Sequence, residues 1–484
     1  MRKAGFVALG ILLIGVQAHA TFSRIAGMGL QSWMLSDDSN MWFNPVYVKD
    51  LGGRAWWEMG AGGQGATGYE LIINQWGGVS VGSNLFGAVG AFFARPYTGI
   101  TGLAGTDAPG VLGMNDDVLS TADFVGINPL LGLTNRRNIY NMSAVAPSNM
   151  VDIFLGLPLY IPVAVQVNFA MGGGVNQYEY WTSPAKANND GWQRAQRYSY
   201  ELNFTAGAHL GKLIPVLPIE VFGTFGIPII DNVYTENAWK SAVSKFYSEN
   251  TVMTSQGAFN LSAGVRLPLK LAGLPVFVFG QYAINNLPVL LTSKRDNDAD
   301  AALECDLRVE RAITSHTING GIAVNSKLGK GLLVIAAGGN WTITGYTATE
   351  TDPMESTPLV VWTNVWNRYN LTSTAISLPI NIAYEHPLFW GLIGRAGVSY
   401  IPSWTNSEVI DGNYSAADTK TSEVKVVAPA VATGAVAISL GLSKEITESL
   451  SFDFVVRQTG SAIPAYEGLL GMLITQATIN WKFQ

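Results

Sequence analysis

Along RYSYELNFTAGAHLG (197–211) the side chains sort by parity. Tyr198, Tyr200, Leu202, Phe204, Ala206, Ala208 and Leu210 take one face of an extended chain, and Arg197, Ser199, Glu201, Asn203, Thr205, Gly207 and His209 take the other. A period of two predicts a strand with one apolar and one polar side. The alternation returns in QGAFNLSAGVRLPLK, AISLPINIAYE, SLSFDFVVRQ and the C-terminal TQATINWKFQ. Leu261, Ile380, Phe454 and Ile479 then lie on apolar faces with Phe204 and Val398. Glu201, Arg266, Glu385, Arg395, Asp453, Arg457 and Lys482 lie on polar ones.

The links between these segments alternate in length. Short, turn-rich links fall near 160–162, 211–217, 270–274, 328–331, 386–391 and 444–448. Long polar or Gly-rich stretches fall at 96–149, 173–196, 231–255, 287–313, 348–368 and 405–424. Short turns on one rim and long loops on the other is the pattern of a transmembrane barrel. A barrel is also the only β solution in hydrocarbon, because an open edge leaves backbone groups unpaired. The expected fold is all-β: a transmembrane antiparallel β-barrel of about 14–16 strands, sixteen if 53–60 and 69–77 are both strands. Tyr198, Tyr200, Trp341, Trp404 and Trp481 lie near strand ends, where an interfacial aromatic girdle belongs.

The N-terminus fixes the compartment. Arg2 and Lys3, an apolar run from Ala4 to Val16 and Ala18-His19-Ala20 form a secretory signal peptide over residues 1–20. Losing those two bases takes the formal charge from −6 to −8, no footprint for nucleic acid. Charged residues make up 13%, against about 25% in typical globular domains. A weakly charged exported chain with 53 glycines and no 18-residue apolar run points to the outer membrane of a diderm bacterium, with lipid and the barrel-assembly machinery as partners. Large secreted sandwiches also alternate, but they carry Lys and Glu outside.

Candidate chemistry is sparse. Cys305 is the one cysteine, which excludes a disulfide framework, and no two of the three mature histidines share a metal-ligand spacing. Residues 60–65 fit G-x-G-x-x-G but lead into strand-like sequence, where a dinucleotide site needs a helix. Residues 78–82 fit G-x-S-x-G without the hydrolase context. Asp296, Asp298 and Asp300 have calcium-loop spacing, but Ala301 and Leu307 stand where Gly and Glu belong. No enzyme activity, cofactor or metal is expected.

The informative segment is RIAGMGLQSWMLSDDSNMWFNP, ahead of the first strand. Its apolar residues need cover, and the barrel interior is available. Asp37 and Asp38 would then pair with lumenal bases such as Arg266, Arg395 or Arg457, and Asn44-Pro45 would end a short helix. A periplasmic arm under the barrel is the alternative. Gly27-Met28-Gly29, seven residues, Asp37-Asp38, then Asn44-Pro45 resembles the N-terminal segment of the outer-membrane FadL-type transporter superfamily, which includes PorV-like proteins. Two features depart from that pattern: the run to Asn44 is one residue short, and Val46 replaces an alanine. The resemblance implies a plug at 21–50, a single barrel over 51–484 and passive uptake of small hydrophobic or amphipathic molecules through a break in the wall. Apolar loop 96–149 would be a capture surface. Pro379, inside SLPINIAYE, marks the candidate break because proline cannot donate to a ladder; Pro228 is a weaker one, read as lying near a strand end. The competing expectations are a PorV-like barrel that binds secreted proteins or a secretion machine, and a general porin for polar solutes.

Overall fold

The computed structural model describes residues 22–59, 75–83, 87–95, 149–181, 190–214, 218–240, 245–297, 305–351, 366–414, 420–447, 449–460 and 476–483. Strand segments β1 (Arg54–Met59) to β18 (Gln476–Lys482) follow one another around a single antiparallel sheet. β1 pairs with both β2 and β18, so the sheet closes and has no edge. β8 (Lys245–Ser255) and β9 (Phe259–Leu271) share the same two neighbours, β7 (Glu220–Lys240) and β10 (Leu274–Asn297), and are two lengths of one strand. β13 (Trp366–Ser377) and β14 (Ile380–Pro387) likewise lie between β12 (Gly331–Thr351) and β15 (Leu392–Tyr414). Eighteen segments therefore make sixteen strands. The second, expected at 69–77, is described as β2 (Gln75–Ser83), and 69–74 lie outside the described residues. The protein is a closed antiparallel β-barrel with apolar residues exposed on its outer wall, the form in which strands cross an outer membrane.

The two breaks differ. At β8/β9, Gln256–Ala258 adds one residue to the register on both sides, a bulge that holds Gly257 at φ 68°. Pro228 faces this bulge from the interior of β7 (Glu220–Lys240), so it is not near a strand end. At β13/β14 the register runs straight through Leu378 and Pro379. Gly338 N donates to Pro379 O (2.9 Å) and Leu378 N to Pro402 O (3.0 Å). Each is half of a pair that ordinarily exchanges two bonds, and in each the missing donor is a proline nitrogen. The wall is thinned here without being bent.

Several stretches expected as loops are strand. β10 (Leu274–Asn297) and β11 (Cys305–Leu328) have 24 residues each and β16 (Lys420–Thr447) has 28, where about 9–11 cross a membrane. The polarity of the alternation reverses on the way up. Low on β11 the outward residues are Ile322 and Ile318; higher up they are Glu310 and Arg308, joined at 2.6 Å. Inward, the asparagines Asn325 and Asn319 give way to a mixed face of Ser315, Ile313 and Arg311. Outward Tyr282 and His316, hydrogen-bonded at 2.7 Å, lie at the change. The sign of the outer face tells lipid from water, and above the membrane it flips.

Arg457 lies beyond a bulge that opposes it to Leu440, and its side chain is outside the described residues. Residues 1–20, the glycines of 60–65, loop 96–148 and Asp298–Asp300 are outside them too.

Candidate functional site: the plug and its seat

Residues 22–51 lie inside the barrel. Helix α1 (Phe22–Met28) is followed by three 3-10 turns, Ser32–Met34, Asp38–Trp42 and Pro45–Leu51. Asp37 caps the second turn, accepting from Ser39 N (2.9 Å) and Ser39 Oγ (2.5 Å), while Asn40 Oδ1 accepts from Asp37 N. Asn44 caps the third, with Pro45 at its first position. Asn44-Pro45 thus ends one turn and starts the next.

The wall makes room by omitting side chains. Gly27 Cα lies 3.0 Å from where a Cβ would stand on Gly441, and Trp33 2.7 Å from one on Gly321. A Cβ on Gly397 would overlap the Met28 carbonyl oxygen, and one on Gly207 the Asn44 side chain. Gly29 turns the chain at φ 62° beside Ser439, a left-handed conformation that glycine adopts without strain.

Charge then locks the seat. Arg24 grips Glu385 with Nε (2.8 Å) and Nη2 (2.9 Å); Arg395 donates to the same Glu385 (2.7 Å) and to Asp453 (2.6 Å). Arg266, fully buried, donates to the carbonyls of Trp33 (3.0 Å) and Leu35 (2.6 Å), to Tyr47 Oη (2.8 Å) and to Glu220 (3.3 Å). Tyr47 donates in turn to Glu220. Trp42 sits edge-on among Trp76, Phe92 and Phe154, ring centroids 5.1–5.7 Å away. The Arg95 guanidinium, paired with Asp152 (2.7 Å), lies 4.3 Å from its centroid.

The expected plug–wall ion pairs are therefore rewired. Asp37 is spent on its own cap, and Asp38 pairs with Arg54 at the foot of β1. Arg266 and Arg395 find acids on neighbouring strands, because inward residues of adjacent strands stand closer than any plug carboxylate. Burial pushes the Asp38 carboxyl up to about 7 against the pull of Arg54. Ser80 of the G-x-S-x-G stretch is buried in β2 and donates to Leu51 O (2.5 Å); it holds the plug. Of the other expected lumenal residues, Glu201 accepts from Asn260 (2.8 Å), while Lys482 stands exposed at the rim. Phe204, Leu261, Ile380 and Val398 are exposed on the outer wall. Among the described residues no cluster of three His, Cys, Asp or Glu side chains could hold a metal.

No protein-family model and no curated protein matches the chain. Among solved structures it is similar to the translocator domain of the autotransporter NalP from Neisseria meningitidis, at 13% identity over 76% of this chain and 98% of that one, with a TM-score of 0.24.

Above α1 a cavity of about 380 Å³ opens between plug and wall. Trp33 and Phe43 bound it below, and the inward faces of β10–β13 form its side, up to Pro379 at the ladder gap. Higher still, Ile230, Met253, Leu287, Val289, Leu291 and Ile313 face inward and are buried, beside a buried Arg311 opposite Val289 and a buried Asn232 opposite Met253. The sequence did not announce that interior, because its residues alternate like any other strand.

Proposed function

We propose that the barrel is a passive channel for small apolar or amphipathic solutes, with the wall at Pro379 as the way out, in the manner that its FadL-type N-terminal segment implies. The carrying observation is the cavity that ends at the in-register gap. A plug held by Arg24, Arg266 and Trp42 leaves a solute no straight path down, whereas the gap lies beside the cavity and faces lipid through Leu378 and Ile380. The inward apolar residues above, Ile230, Met253, Leu287, Leu291 and Ile313, support the same reading. Reconstitution tests it: liposomes bearing the protein should take up a hydrophobic probe faster than protein-free ones and show no faster entry of a sugar. Equal entry of the sugar would overturn the reading in favour of a porin.

The locked plug also favours a second reading, a PorV-like barrel that binds exported proteins or a secretion machine. Its binding surface would be the part of β10, β11 and β16 that continues beyond the membrane. Stable co-purification with secreted proteins, without probe uptake, would favour it.

A further inference from the structure

The cavity beside Pro379 has a definite chemistry. Gln281, Asn319, Asn340 and Ser377 are direct cross-strand partners on β10, β11, β12 and β13, and together they form an inward shelf of amides and a hydroxyl. Two residue pairs lower, Phe279 pairs with Gly321, and on that level the wall carries rings and bare backbone. Trp33 stacks on Phe279 at 5.2 Å and 12°, and Phe43 meets the same ring edge-on at 6.3 Å. The cavity thus has an aromatic floor and an amide shelf. None of the residues that line it is charged, and Arg24, Arg266 and Arg95 are each paired with a carboxylate.

From this juxtaposition we infer that the cavity is a binding site for a small uncharged aromatic molecule bearing an amide or hydroxyl group. The ring packs on the Phe43–Phe279 floor, and the polar group reaches the shelf. Gln281 and Asn319 offer donors and acceptors with no hydrogen-bond partner among the described residues, and each amide serves a solute donor and acceptor equally. An ionised head group would leave water for a site with no counter-charge, which costs more than amides return. The site therefore discriminates by charge. The inference rests on the channel reading for its purpose, since it names which amphipathic solutes the channel accepts.

Benzamide, benzoate and benzylamine share one ring and differ in charge, so they serve as probes. Calorimetric titration of the full folded barrel in nanodiscs should show benzamide binding about tenfold or more tighter than either ion, the equivalent of about one well-made hydrogen bond. The double variant Gln281→Leu/Asn319→Leu should lose about that factor for benzamide. Asn319→Asp keeps the shape and should turn the preference towards benzylamine. The control Tyr282→Phe, on the outer wall, should change nothing. Equal binding of benzoate and benzamide, or unchanged benzamide binding in both Asn319 variants, would overturn the inference. Selective benzamide binding without uptake into liposomes would leave the site standing and remove the channel reading; uptake of an apolar dye with indifferent benzamide binding would do the reverse.

Discussion

Gly397 of the wall lies so close to Met28 of the plug that a Cβ on the glycine would overlap the Met28 carbonyl oxygen. Shape therefore holds α1 against β15 (Leu392–Tyr414) alongside the Arg24–Glu385 ion pair, and the first prediction follows from it. Gly397→Val should unseat α1, expose residues 22–35 to protease from the periplasmic side and raise single-channel conductance. The barrel should stay folded, because Gly397 bears on the plug and not on the closing seam. Unchanged conductance with full protease protection would show that the plug can shift sideways and re-seat.

The Arg24–Glu385–Arg395 triad makes a second prediction. All three side chains are at most about a tenth exposed. Removing one partner of such a pair leaves the other charge buried, at a cost of about 3–5 kcal/mol. Glu385→Ala should therefore destabilise far more than the double replacement Arg24→Met/Glu385→Ala, which removes one stranded guanidinium. Urea-melting of both in micelles reads the difference. Equal losses would mean that Arg395 alone carries the cost.

The fold was legible because lipid imposes a strict rule on the outer face. Phe204, Leu261, Ile380 and Val398 show it directly. Above the membrane the rule lapses, and there the reading of 231–255 and 287–313 as loops failed: inward Leu287 and Leu291 alternate with outward residues, as strands do on either side of the interface. The plug motif was legible as a motif, but its partners were not. Arg24 and Glu385 are joined through space alone, and Arg95 meets Asp152 across 57 positions of chain. Asn381, the neighbour of Ile380 on the inward face, is buried, so an arginine there would be resisted for want of space rather than for lipid contact.

A cleaner pair of neighbours tests the register. Ile318 is half exposed on the outer wall, and Asn319 opens on the cavity. Arginine on the lipid face costs about 2–4 kcal/mol near the midplane and less towards the interfaces. Ile318→Arg should therefore reduce the yield of heat-modifiable barrel on gels much more than Asn319→Arg. Equal yields would contradict the register of β11.

The Asp38 carboxyl gives a pH dependence. Its folded value, about 7, lies above the unfolded one, so the folded state binds the extra proton between roughly pH 4 and 7. The contribution of Asp38 to stability is greatest below pH 4 and is lost as pH rises through 7. Plug protection against protease should thus weaken from pH 5 to pH 8, and Asp38→Asn should flatten that slope. A slope that survives the substitution belongs to another group.

Pro379 carries the last prediction. Its carbonyl accepts from Gly338 N, and the returning bond would need a hydrogen on the proline nitrogen. Leu378 and Pro402 form the mirror case on the other side of the strand. Two bonds are therefore missing from adjacent ladders at one level. Because the register is unbroken, a residue with an N–H at either place can restore the bond without moving the strand. Pro379→Val and Pro402→Val should each raise the barrel's melting midpoint, by about 1 kcal/mol of stability per bond. If solute leaves through the gap, each should also slow uptake of an apolar probe into liposomes, and the double variant should slow it most. The corresponding change at the bulge, Pro228→Val, serves as the comparison, since Pro228 lies in β7 and does not line the cavity. Higher stability with uptake unchanged in all three would reduce Pro379 to a flaw in the ladder, and the exit would have to be sought elsewhere in the wall.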